Sequence, residues 1–164
     1  MPAAKTIRQQ IVDAVETALT TPGGLAPLNV QRCPTEPLED LVNNLGTTDF
    51  PALLIYVKED AATGEYTHDS VERDLTLHLV AVDKRPDNDS PIHVALEPVL
   101  AFAYMAVMAK GSLDGLADDI EAGKIEWDFE TGVVDSAAAR MEFNLKYRHD
   151  RYDMTVNPQG ASYV

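Results

Sequence analysis

Glu126, Asp128 and Glu130 stand at every second position of one short segment, with Ile125, Trp127 and Phe129 between them. On a strand, that spacing gathers three carboxylates on one face. Paired carboxylates are the apparatus of acid–base hydrolysis, so a small acidic hydrolase using Glu126, Asp128 or Glu130 is one reading. Such chemistry needs a carboxyl held protonated by burial, whereas an alternating strand offers its polar face to solvent or to a partner. Other candidate groups are weaker. Asp87-Asn88-Asp89 has the opening of a calcium loop without its Gly and closing Glu, and reads as a polar turn. His68, His78, His93 and His149 lack metal-ligand spacing, so no metal is expected. Cys33 is the only cysteine, and Gly23-Gly24 is not followed by the Lys-Ser/Thr of a phosphate loop. No cofactor is expected either. Trp127 with Tyr147, or Trp127 with Met105 and Met108, could line a ligand pocket, although such residues at these spacings ordinarily pack a core.

The 164 residues carry 13 Lys and Arg against 27 Asp and Glu, a formal charge of −14. Tight nucleic-acid binding is disfavoured, because its affinity comes from Lys and Arg displacing counterions. The longest apolar run, residues 99–109, has 11 residues and falls short of the ~20 that span a bilayer. No membrane segment or secretion signal is expected, and a single thiol suits a reducing compartment.

The elements that would position these groups follow from periodicity. Ile7, Ile11, Ala14, Val15, Ala18 and Leu19 share a helical face, which predicts a helix over residues 5–20 with Thr6 as N-cap and Pro22-Gly23-Gly24 as its stop. Leu28, Val30 and Arg32 suit a short edge strand beside Pro27 and Pro34, and residues 38–45 suit a helical turn or a loop. Residues 51–57 are a nearly continuous apolar run, read as a central strand. Residues 59–70 read as a long mobile hairpin connection. Residues 71–82 alternate, with Leu75, Leu77, Leu79 and Ala81 on a core face and a largely polar opposite face. After a polar loop over residues 83–90, Ser90-Pro91 starts a second helix that runs to Lys110-Gly111 and contains Pro98. Residues 114–121 suggest a short acidic helix. Two closing strands then pair as a hairpin through residues 131–139, in a register that would set Asp128 beside Lys146 and Glu126 beside Arg148. The expectation is one α+β domain over residues 1–150, a two-layer sandwich with a mainly antiparallel sheet of four or five strands and two main helices on one face, followed by a loose tail over residues 151–164.

Charge is unevenly spread. Residues 114–130 hold seven acids and one base, whereas residues 140–151 hold Arg140, Lys146, Arg148 and Arg151 against Glu142 and Asp150. An acidic flank and a basic flank could join identical subunits side by side, or the charges could simply pair within the hairpin.

At Asp49-Phe50-Pro51-Ala52-Leu53-Leu54-Ile55-Tyr56 the sequence resembles the tail terminator proteins of long-tailed bacteriophages, the minor tail protein U type. The likeness continues through an amphipathic N-terminal helix, Thr63-Gly64-Glu65, the alternating Asp74-Leu75-Thr76-Leu77-His78-Leu79, a second helix and an aromatic closing strand at Met141 to Tyr147. It spans roughly residues 5–149. Residues 22–45 and the tail beyond Asp150 have no counterpart in it. The resemblance implies a non-enzymatic structural protein of the virion tail, assembled in the host cytoplasm. It implies a ring, typically of six subunits, that ends tail-tube polymerisation and presents a surface to the head connector. A related neck or tail-completion protein is the alternative. The expected partners are other copies of the chain, the tail tube protein and the connector protein. DNA would pass through without sticking, since an acidic lumen repels it. The loop over residues 59–70 would become ordered on docking. Glu65, Tyr66, Glu126, Asp128, Glu130, Arg140, Lys146 and Arg148 are the expected interface residues.

Overall fold

The computed structural model describes residues 3–20, 29–32, 51–66, 68–85, 92–109, 111–130 and 135–158. Its elements are α1 (Ile7–Thr20), β1 (Asn29–Arg32), β2 (Ala52–Tyr66), β3 (Ser70–Arg85), α2 (Ile92–Ala109), β4 (Asp119–Glu130) and β5 (Asp135–Asp150). The strands form one sheet in the order β1-β2-β3-β5-β4, in which only β1 and β2 run parallel. Both helices lie on one face. Ile7, Ile11, Val15 and Leu19 of α1 and Leu96, Val99, Leu100, Ala103 and Val107 of α2 pack on Leu53, Ile55, Leu75, Leu77, Leu79, Met141, Phe143 and Leu145 of the sheet. This is the α+β sandwich that the periodicity predicts.

Local chemistry explains the helix ends. Thr6 caps α1 reciprocally with Gln9: the Gln9 amide donates to Thr6 Oγ1 at 3.2 Å, and the Thr6 amide donates to Gln9 Oε1 at 3.0 Å. In α2, Pro98 sits on an exposed side, where its missing amide and bulky ring do not disturb the packed face. Among the described residues, no helix is long and apolar enough to cross a membrane. The segment 38–45 and the Ser90-Pro91 cap lie outside the described residues.

Several boundaries differ from the sequence reading, each for a physical reason. Residues 59–62, expected in a mobile loop, continue the β2–β3 ladder from Glu59↔Thr76 to Ala62↔Arg73, and β3 begins already at Ser70. Polar composition gives way there to an ion pair that pins the hairpin: Arg73 Nε donates to Asp60 Oδ1 at 2.7 Å. β3 likewise runs to Arg85, three residues into the expected polar loop, because β5 pairs with it throughout. The apolar run at residues 52–57 lies, as expected, inside the sheet, between β1 and β3, with Leu53 and Ile55 buried on one face and Ala52, Leu54 and Tyr56 on the other. The far face of β3 is polar from Glu72 to His78, as expected, and at its other end Val80 and Val82 join Ala52, Leu54 and Tyr56 of β2 in a second buried cluster.

The acidic helix expected at residues 114–121 is absent. Residues 111–116 turn instead, with Leu113 and Asp114 at φ of 52° and 60° between Gly111 at 57° and Gly115 at 85°, a run of left-handed backbone that no α-helix contains. Burial of Leu113 in the main core offsets the strain. β4 begins directly afterwards, and β5 begins at Asp135, so the hairpin connection is shorter than residues 131–139. Beyond β5, residues expected to be loose are tied down. The Ile7 amide donates to the Met154 carbonyl at 2.9 Å, the Asp150 amide to the Val156 carbonyl at 2.9 Å, and Asn157 Nδ2 to the Gly115 carbonyl at 2.9 Å.

Asp60 fastens these layers together. Its carboxylate, 7% exposed, accepts from Arg73 of β3 and from the Tyr147 hydroxyl of β5 at 2.8 Å, and lies 3.6 Å from Arg8 of α1. Burial, then the bond to the Asp60 carboxylate, pushes the Tyr147 hydroxyl well above its ordinary pKa, so it remains a donor. Asp60→Ala leaves a half-buried guanidinium and a buried hydroxyl without their acceptor. It should destabilise the fold by about 3–5 kcal/mol, read as a lower urea midpoint at unchanged slope.

Candidate functional surfaces

The expected interface residues fall in two places. Glu65 and Tyr66 are at the β2 end of the β2–β3 hairpin, with Tyr66 opposite Val71. The other six belong to β4 and β5, in a register different from the expected one. Glu126 stands opposite Arg140, Asp128 opposite Ala138, Glu130 opposite Ser136, and Lys146 opposite Asp119. Neither expected pair, Asp128 with Lys146 or Glu126 with Arg148, forms. Two facts set the offset: the ladder starts at Glu130↔Ser136, and a bulge between Ala122 and Ile125 adds one residue to β4. The side chains of Glu65, Tyr66, Asp128 and Glu130 lie outside the described part.

The acidic and basic flanks are therefore neighbouring strands, and part of their charge pairs within the domain. Glu126 lies 2.8 Å from Lys124 and 3.6 Å from Arg140. Arg148 bridges Glu72 and Asp118, each at 3.1 Å. The bond from Lys124 holds the exposed Glu126 carboxyl below its usual range. That is the opposite of what the general acid of a carboxylate pair requires. Trp127 and Tyr147 do not meet in a pocket either. Trp127 stands opposite Ala139, eight residues along β5 from Tyr147, a separation of about 27 Å at ~3.4 Å per residue. Among the described residues no group of three or more His, Cys, Asp and Glu could hold a metal ion.

The sequence reading missed a polar relay on the far face of the sheet. Tyr56, His78 and Glu142 are consecutive cross-strand neighbours on β2, β3 and β5. The Tyr56 hydroxyl lies 2.6 Å from His78 Nδ1, and His78 Nε2 lies 3.2 Å from Glu142 Oε2. A neutral ring satisfies both contacts, with Tyr56 donating to Nδ1 and Nε2–H donating to the carboxylate. His78 is 1% exposed. Burial lowers its pKa, Arg140 and Lys58 lower it further, and Glu142 opposes them. At Glu142 burial works to raise the pKa, but bonds from His78 and Asn144 prevail and lower it. The sequence signal was available: His78 interrupts a strand of Leu and Val, and Gly123 marks the place where β4 must approach closely. A Cβ at Gly123 would stand 3.0 Å from Glu142 Oε1 and 3.2 Å from Glu142 Cβ.

Two expectations follow. Because the folded state disfavours protonated His78, the stability it contributes is present above the unfolded pKa of about 6.5 and is lost as the pH falls below it. The urea midpoint should drop from pH 7 to pH 5, and drop less in His78→Gln, which keeps a polar side chain in the relay. Gly123→Ala crowds a carboxylate already pinned from two sides, and should cost about 1 kcal/mol in the same measurement.

No family model matches this chain, and no curated protein matches it. Among solved structures it is similar to a chain in the virion of a native gene transfer agent particle. That likeness has a TM-score of 0.36 and 10% identity over 87% of this chain and 92% of the other, a level that says nothing of function.

Proposed function

We propose that this protein is a structural component of a phage-like virion, a tail terminator that forms a ring on the end of the tail tube, stops polymerisation and offers a surface for joining to the head. The observation that carries the reading is the Asp49-Phe50-Pro51-Ala52 motif leading into the apolar strand Leu53 to Tyr56, and the order of elements around it. An amphipathic helix precedes the motif, while the alternating strand, second helix and aromatic closing strand follow it, in the tail terminator order. Thr63-Gly64-Glu65 falls near the end of β2, at the β2–β3 hairpin. The charge supports the same role. Six copies of a −14 chain would surround a channel with strong negative potential, through which DNA slides without adhering.

The ring reading and the neck-protein alternative separate by partner. Light scattering should show a monomer or a ring of the free protein, and mixing with tail tube protein should give rings seated on tube ends by negative-stain imaging. A monomer that ignores tubes and instead binds the head connector protein would establish the neck protein in its place.

A further inference from the structure

β4 is the outermost strand of the sheet, and its two faces differ sharply. On the helix side, Ile125 and Trp127 stand opposite the buried Met141 and Ala139, yet they are 47% and 37% exposed. Among the described residues α2 packs chiefly over β3 and β5, where Tyr104, 44% exposed, has its ring centroid 6.5 Å from that of Phe143. On the far side the strand carries exposed carboxylates, Asp119 and Glu121 before the bulge and Glu126 after it, with Asp128 and Glu130 continuing the same alternation in sequence. Glu121 has no ion-pair partner among the described residues. Among the described residues no strand pairs with the outer edge of β4, which presents apolar and acidic positions in alternation on either side of Gly123 and Lys124 at the bulge.

We propose that this edge is a strand-addition site for an extended segment of another protein in which apolar and basic residues alternate. A sixth strand of that pattern would lay its apolar side chains beside Ile125 and Trp127 and its Lys or Arg beside Glu121 and Glu126. Charge selects the occupant. Edge-to-edge pairing of two copies through β4 would set carboxylates against carboxylates, a common device against self-association, whereas a basic strand is attracted. The inference goes beyond the ring reading and holds whether or not a ring forms.

Trp127 is the chain's only tryptophan and reports directly on this edge. A short capped peptide of alternating Lys and Val should shift its emission to the blue with saturation, more weakly as salt rises, and protect β4 main-chain amides from hydrogen exchange. The matching Glu/Val peptide should do neither. Glu121→Lys and Ile125→Lys should each weaken the Lys/Val peptide by about tenfold, while Glu59→Lys on β2 leaves its affinity unchanged. Equal responses to both peptides, or protection elsewhere than β4 in the unmutated protein, would overturn the proposal. A concentration-dependent blue shift without peptide would overturn it as well, and would assign the edge to a second copy.

Discussion

The straight ladder between β3 and β5 is the constraint on which the other elements depend. It runs without a break from Ser70↔Asp150 to Arg85↔Asp135, so its side chains alternate between the two faces over its whole length. The flanking strands depart from it at bulges, β2 at two places and β4 at one. In β2 the first extra residue is Lys58, between Val57↔Leu77 and Glu59↔Thr76, and a second shift follows between Ala62 and Tyr66. Without the extra residue at Lys58, Glu59 would point toward the helices and Asp60 away from them; with it, Asp60 meets Arg73, Tyr147 and Arg8. In β4 the bulge between Ala122 and Ile125 changes the parity in the same way. Ile120 and Ala122 face the helices before it, and Ile125 and Trp127 after it. Two single-residue insertions thus decide what each face of the sheet carries.

Both faces hold a polar chain that crosses strands, and each chain is closed on itself. On the helix side the carboxylate of Asp60 gathers a cation and a hydroxyl from other elements. On the far side neutral His78 links a hydroxyl donor to a carboxylate acceptor. A domain so rich in carboxylates spends its few cations internally. Arg32 bonds Asp13 and Glu16, Arg148 bonds Glu72 and Asp118, and Arg140 lies against Glu126. The carboxylates of Asp60 and Glu142 are thus held by donors from other strands, and the surplus of negative charge is left on the outside.

The sequence was most legible where one face of an element is apolar and the other is not. Ile7, Ile11, Val15 and Leu19 revealed α1, and Met141 to Tyr147 revealed the core face of β5. Even the β4 bulge is written in the chain, as the change from even-numbered Ile120 and Ala122 to odd-numbered Ile125 and Trp127 around Gly123. Charged and polar runs were legible only as composition. Nothing in Lys58-Glu59-Asp60 tells which carboxylate turns inward, because that depends on a bulge set by pairing with β3. The turn at residues 111–116 was hidden for a related reason: its acidic residues suggest a helix, while the buried Leu113 and the flanking Gly111 and Gly115 favour left-handed backbone. The relay of Tyr56, His78 and Glu142 joins residues far apart in sequence, and only the register brings them together.

Internal neutralisation also bears on how the protein would assemble. If the acidic β4 and basic β5 lay on opposite sides of the domain, identical subunits could join by matching opposite charge. As adjacent strands they pair part of that charge within the domain, Arg140 with Glu126 and Arg148 with Glu72 and Asp118, which leaves less of it to match a neighbour's. Contacts between copies would then lean on apolar and main-chain groups against a net repulsion that weakens as salt screens it. A partner carrying basic residues faces no such penalty. The same surface charge that would keep free subunits apart and repel DNA therefore favours a different, positively charged protein at the exposed edge of the sheet.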